Sequence, residues 1–146
     1  MNLAVDPGVK ATGLAWFEGK ELVHVELVRA ASLNEMLREG RRVAESRGKI
    51  ERIILEKPQV YGTRHQKGDP NDLISVALIA GSIATVGKHI VFVRPRQWKG
   101  NVPKHITEVR VRDRLSPKEL ELLNKIKPKY LAHNAIDAVG IGVAYL

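Results

Sequence analysis

The sequence predicts an α/β fold: a mixed sheet with a three-stranded antiparallel start and parallel later strands, flanked by helices. Three observations predict it. Short apolar runs bounded by Pro, Gly or charged residues, such as residues 3–5 and 53–55, read as buried strands. The first three such stretches follow one another through tight turns, whereas the later ones are separated by helical stretches, as parallel crossovers require. The chain has 146 residues, 44% hydrophobic and 27% charged, which suits one domain with a real core rather than a disordered segment. No repeat and no boundary divides residues 1–146.

The first strand, Leu3-Ala4-Val5, runs straight into Asp6, and Pro7-Gly8 turns the chain. Residues 12–17 form the second strand and the alternating residues 22–28 the third, paired through the turn at 18–21. His24 and Glu26 share the wetter face of the third strand, so His24 is expected to be solvated. Ser32 with Glu35 makes a capping box for an amphipathic helix over 33–47. Residues 50–56 form a central strand that, like the first, ends in a carboxylate, Glu56. Residues 57–70 are loop-like and basic, with one aromatic, Tyr61; loops of that length are often functional. Asn71 or Asp72 caps a helix over 73–87 that is apolar nearly all round. Such a helix is fully buried, or half buried with its other face on a partner chain. Residues 89–93 are the fifth strand, and residues 94–104 a basic segment around Trp98. Helical stretches are expected over 104–115 and from Ser116-Pro117 onward, with a last helix over 130–146 after the linker at 127–129.

Lys and Arg number 24 against 16 Asp and Glu, giving +8, a balance that fits nucleic acid. It fits a basic protein-binding module or an anionic surface as well. The chain has no cysteine, hence no disulfide and no thiolate metal site, which leans towards the cytoplasm. No signal peptide and no apolar run of about 18 residues is present, so no membrane association is expected.

Asp6 alone reads as a turn aspartate, and Asp137 alone as a helix-dipole partner. Together with Glu56 they read differently. Asp6 and Glu56 leave the ends of central strands, and on the last helix His133, Asn134 and Asp137 project from one side at spacings of three and four. Converging carboxylates repel unless cations join them. Oxygen ligands without Cys or a His pair point to a hard ion, Mg²⁺ or Mn²⁺. Two such ions about 4 Å apart can activate water and stabilise the leaving oxygen of a phosphodiester.

Three motifs, L-A-V-D-P-G-V-K-A-T-G-L-A at the start, I-I-L-E-K-P in the middle and H-N-A-I-D-A-V-G-I-G at the end, resemble the RuvC family of Holliday-junction resolvases, within the ribonuclease-H-like superfamily. The segment V-R-P-R-Q-W-K-G-N-V-P-K resembles the basic stretch of its compact, phage-like members. The resemblance implies a ribonuclease-H-like fold and a metal-dependent endonuclease that resolves four-way junction DNA as a homodimer making paired nicks. It implies metal ligands Asp6, Glu56, Asp137 and the residue at 134, with two Mg²⁺ ions per site for which Mn²⁺ substitutes. It gives Lys99 and Lys104 catalytic roles near the cut, and makes Tyr61 an aromatic placed to stack on a base. Arg64, Lys67, Arg94 and Arg96 are the phosphate-contact residues expected beside them. The residues specify no helicase partner. The helix over 73–87 is the expected dimer interface. Trp98 is expected to anchor its loop, and His65, His89 and His105 to take no catalytic part.

Asn134 departs from the family pattern, which has Asp or His there. It leaves three carboxylates, −3, against +4 from two divalent ions, so one ion binds more weakly or His133 helps. The alternatives are an inactivated, purely junction-binding form, and a ribonuclease-H-like nuclease for other branched DNA or for hybrids.

Overall fold

A computed structural model describes residues 1–60 and 69–146. Five strands, β1 (Asn2–Asp6), β2 (Ala11–Glu18), β3 (Glu21–Arg29), β4 (Ile50–Glu56) and β5 (Gly87–Val93), form one sheet in the order β3-β2-β1-β4-β5. The β1–β2 and β2–β3 pairs are antiparallel, and β1–β4 and β4–β5 are parallel, as the sequence predicts. Helices α1 (Leu33–Glu45) and α2 (Pro70–Ala84) cover one face. The other carries α4 (Lys104–Arg112), α5 (Pro117–Asn124) and α6 (Ala132–Tyr145).

Side-chain alternation along the strands sorts the two cores. Leu3 and Val5 of β1, Leu14 and Trp16 of β2, and Ile53 and Leu55 of β4 pack under α1 and α2. Ala4, Ala15, Phe17 and Ile54, one residue out of step, pack under α6 with Ala135, Ile136 and Val139. The residues on the α6 side are small at the centre, so this helix lies close to the sheet. At Gly13 a Cβ would stand 2.0 Å from the Asn134 carbonyl oxygen, and at Gly142 it would stand 2.1 Å from the Phe17 ring.

Several boundaries differ from the sequence expectation, each for a local reason. Helix α2 starts at Pro70, not 73, because Asp69 is the cap: its carboxylate accepts from the Asn71 N–H at 2.9 Å, and Pro70 fits the first helical turn. It ends at Ala84 and leaves Gly87 to open β5. Helix α1 stops at Glu45, where the Ser46 hydroxyl donates to the Val43 carbonyl. Helix α4 stops at Arg112. A one-turn helix, α3 (Pro95–Trp98), forms within the basic segment, and a 3₁₀ turn, Lys129–Leu131, precedes α6. Only one side of α2 is buried, through Ile79, Ala80, Ile83 and Ala84; Ile74 and Leu78 are exposed. As the sheet edge, β5 also exposes Ile90 and Phe92. His24 is half-buried rather than solvated, its ring centroid 5.2 Å from that of Trp16 and its Nε2 2.8 Å from Arg47 Nη2.

Candidate active site

The alternation that sorts the cores also aims the carboxylates. Asp6 follows Val5 and shares the side of Ala4; Glu56 follows Leu55 and shares the side of Ile54. Both therefore point towards α6. Val5 and Leu55 are register partners on the parallel strands, so Asp6 and Glu56 emerge side by side, one step further along. On β2 the residue opposite Asp6 is Gly13. Its lack of a side chain lets the first turn of α6 rest on the sheet next to Asp6. There Asn134 Nδ2 donates to Asp6 Oδ2 at 3.1 Å. Asp137, one turn on, joins the two strand carboxylates in a single cluster. Asp6 is thus no simple turn aspartate; the Gly8 turn is closed instead by the buried Thr12 hydroxyl, which donates to the Gly8 carbonyl and accepts from its N–H.

The fourth charged member comes from the end of α3. Lys99 Nζ lies 3.1 Å from Asp137 Oδ2 and 3.5 Å from Glu56 Oε2, and 4.8 Å from the centroid of the Trp98 ring. Trp98 Nε1 donates to Glu56 Oε2 at 2.6 Å. The Trp98 ring is seated against α6 where Gly140 leaves room: a Cβ there would meet the ring at 2.5 Å.

Burial sets the electrostatics. Asp6 is 8% exposed, and desolvation pushes its carboxyl well above the usual aspartate range. Glu56 and Asp137 add to the rise, while Lys99 and the Asn134 amide oppose it. Glu56 is raised as well, by burial first; Lys99 and the Trp98 hydrogen bond restrain the shift, and Asp137 adds to it. For Lys99, burial disfavours the charge, but Glu56, Asp137 and Asp6 outweigh it and hold the ammonium above its ordinary value. His133 is lowered, by burial and then by Lys104.

These residues could hold a hard cation. The donors are oxygens only, the carboxylates outnumber Lys99, and the most buried of them resists ionising without a positive partner. Among the described residues, however, no three acidic or histidine side chains are already drawn together as a ligand shell. The Lys99 ammonium lies among the carboxylates instead.

Of the other residues expected at the site, Lys104 is exposed at the start of α4 and makes no ion pair with the cluster among the described residues. Arg94, at the cap of α3, and Arg96 are exposed on the same short segment as Lys99. Tyr61, Arg64 and Lys67 lie outside the described residues. What the sequence reading missed is the hydrogen bond from Trp98 to Glu56. The available signal was Trp98 directly before Lys99, together with glycines at 140 and 142 in a helix that otherwise packs tightly.

Solved structures similar to this one include junction resolvases. The Thermus thermophilus RuvC in complex with a Holliday junction substrate superimposes with a TM-score of 0.66 at 18% identity, over 98% of this chain and 90% of that one. This is the RuvC fold. The fowlpox virus resolvase in complex with junction DNA has a TM-score of 0.55 at 17% identity, over 99% of this chain and 98% of that one. The yeast mitochondrial Holliday junction resolvase Ydc2 has 0.60 at 11%, over 99% and 76%. No protein-family model matches the chain, and no curated protein matches it in sequence. The likeness to RuvC is therefore one of fold, and it spans nearly the whole chain, including every element that carries the carboxylate cluster.

Proposed function

We propose that this protein is a structure-selective DNA endonuclease that resolves four-way junctions by divalent-metal-dependent hydrolysis. The observation that carries the proposal is the cluster of buried Asp6 with half-buried Glu56 and Asp137 around Lys99, at the exit of β1 and β4 under α6. A RuvC-like fold, a net charge of +8 and exposed Arg94 and Arg96 beside Lys99 support it.

Asp6, Glu56, Asp137 and the amide oxygen of Asn134 are the residues that would hold two Mg²⁺ or Mn²⁺ ions. Bound there, such ions would supply an ionised water at neutral pH and would stabilise the leaving oxygen. The chain's own contribution is positional. Trp98 fixes one oxygen of Glu56 and leaves the other free. Lys99, anchored by Asp137, brings an ammonium to the place where a phosphate would gain negative charge. Arg94 and Arg96 hold flanking phosphates and set the strand's register without reading its sequence. Lys104, being exposed at the start of α4, contributes through phosphate contact rather than within the cluster.

Two copies of the chain would make paired nicks. The outer face of α2, with Ile74 62% and Leu78 51% exposed, is the proposed homodimer contact, and the apolar edge of β5 extends it. Among the described residues no helix is long and apolar enough to cross a membrane.

The test is cleavage of a four-way junction, a flap and an RNA–DNA hybrid by the wild-type chain in Mg²⁺ or Mn²⁺, beside Asp6→Asn. Paired symmetric nicks in the junction, lost in the variant and in EDTA, are expected; Ca²⁺ should support binding only. Equal cutting of flaps or hybrids would replace the junction reading with a broader nuclease. Tight junction binding with no cleavage in Mn²⁺ would make the chain a binding protein.

A further inference from the structure

A second polar feature adjoins the cluster on the far side of Trp98 and Lys99. A cavity of about 70 Å³ opens between α3, α4 and α6. Its walls include the Trp98 ring and Gly140; Lys99, Arg110 and Arg114 stand around it. Thr107 also lines it, and this hydroxyl is the unusual part. Thr107 is 4% exposed, and its Oγ1 has no hydrogen-bond partner among the described residues. A buried hydroxyl left without a partner costs stability and calls for an explanation such as a ligand. Thr107, Arg110, Val111 and Arg114 fall at i, i+3, i+4 and i+7 and so form one face of α4 and its C-terminal extension. Their neighbour Arg112 is held by Glu108 and Asn124, but Arg110 and Arg114 enter no ion pair among the described residues. One water needs about 10–15 Å³ of such space, so the cavity has room for a single tetrahedral oxyanion.

We propose that this cavity binds a phosphate group, held by the Arg110 and Arg114 guanidinium groups and by the Thr107 hydroxyl. Thr107 donates its proton to a phosphate oxygen, and the two guanidinium groups supply the charge-assisted contacts that a surface lysine does not match. The phosphate comes from a nucleic-acid backbone or from free phosphate. Lys99 and Trp98 are shared walls, so an occupied cavity draws on the same ammonium that pairs with Asp137 and Glu56.

The test does not depend on cleavage. Inorganic phosphate is titrated into the metal-free protein at constant ionic strength, with chloride as control, and tryptophan fluorescence is read. Trp98 lines the cavity, while Trp16, the other tryptophan, is fully buried in the opposite core. A saturable change is expected, weakened at least tenfold in Thr107→Val and in Arg110→Gln/Arg114→Gln. Thr107→Val fills the same space without the hydroxyl and should melt no lower than wild type, so lost binding there is not lost folding. No saturable change in the wild type overturns the proposal, and so does equal binding by both variants. The source follows from junction binding. If the backbone supplies the phosphate, the slope of log affinity against log salt falls by about one unit in the double-arginine variant. An unchanged slope with lost phosphate binding assigns the cavity to free phosphate. A chain that binds no junction at all refutes the nuclease reading and leaves the phosphate titration standing.

Discussion

Replacing Gly13 with alanine probes the contact on which the site depends. The added Cβ would lie 2.0 Å from the Asn134 carbonyl oxygen, 2.3 Å from its carbonyl carbon and 2.7 Å from the Ala135 nitrogen. All three are backbone atoms, so no side chain can rotate away. Cβ contacts below 3.0 Å essentially do not occur, so α6 must retreat by at least 1.0 Å (3.0 − 2.0) at its first turn. Overpacking of this kind costs about 1–3 kcal/mol. At roughly 2–4 °C per kcal/mol for a chain of this size, the melting temperature should fall by several degrees. The retreat also carries Asn134 and Asp137 away from Asp6 and Glu56. A misplacement of about 1 Å at a reacting centre costs on the order of 10²-fold in rate, or about 2.7 kcal/mol of barrier. Melting and single-turnover junction cleavage read the two effects separately. Gly19→Ala is the control: nothing lies within 4 Å of its Cβ, so only its φ of 59° is strained, far from the site. A Gly13→Ala protein that melts and cleaves like wild type would refute the close packing of α6 on β2 and the site built on it.

Four further outcomes are expected. The folded carboxyl of Asp6 is raised above its ordinary 3.8, so its contribution to stability is present at low pH and is lost as the pH rises through the folded value; Asp6→Asn should therefore melt higher than wild type at pH 7 without metal, an advantage that shrinks in acid, and should retain junction binding without cleavage. Asn134→Asp removes the donor to Asp6 Oδ2 and adds a fourth carboxylate, so it should melt lower in EDTA, recover in Mg²⁺ or Mn²⁺, and cleave faster, tenfold for each ~1.4 kcal/mol gained. The Glu119 carboxylate accepts from the Leu22 N–H at 2.8 Å and the Ser116 N–H at 2.8 Å; burial would raise it, but these bonds hold it below its ordinary 4.5, so its stabilisation is present above that pH and is lost as the pH falls through the folded value. Glu119→Gln should cost about 1–3 kcal/mol in denaturant melts at pH 7 and much less in acid. Ile74→Asp/Leu78→Asp should give a folded monomer by light scattering where the wild type has twice the chain mass, and a wild-type monomer at micromolar concentration would remove α2 as the interface.

Much of the sheet was legible because strand parity is a strict rule. Once Leu3-Ala4-Val5 and Ile53-Ile54-Leu55 read as buried strands, Asp6 and Glu56 had to emerge at their ends, and alternation put both on the side of Ala4 and Ile54. The spacing of three between Asn134 and Asp137 likewise fixed their common side of α6. Trp98 was legible as a loop anchor, but its polar partner was not. A four-residue helix carries no periodicity, and its partner Glu56 is 42 residues away in sequence. The exposure of α2 was undecidable from its pattern. A helix apolar all round has no marked face, and which side meets the sheet depends on where Ile79 and Ile83 find room beside α1 and β4. The start of α2 differs from the expectation because three neighbouring residues, Asp69, Asn71 and Asp72 around Pro70, all offer caps; the proline decides for Asp69 by fixing the first turn.

The charge balance within the cluster explains how it folds without a cation. Asp6, Glu56 and Asp137 contribute −3 and Lys99 +1, leaving −2 when all are ionised. The raised carboxyls of Asp6 and Glu56 show that even this excess is resisted by burial. A fourth carboxylate at 134 would take the total to −3, from −4 and +1, directly against the most buried member. Asn134 instead turns a hydrogen-bond donor towards Asp6, which lowers the cost of that charge. In the proposed two-ion site, the same choice would remove one unit of attraction for the second divalent ion. Lys99 is the internal counter-ion of the cluster, and under the proposed metal-dependent mechanism it would become available to a phosphate when divalent cations neutralised the carboxylates. Its side chain, 26% exposed and tethered by Asp137 rather than enclosed, is suited to that exchange. An arginine, with its fixed planar fork, would hold Asp137 more firmly and release it less readily.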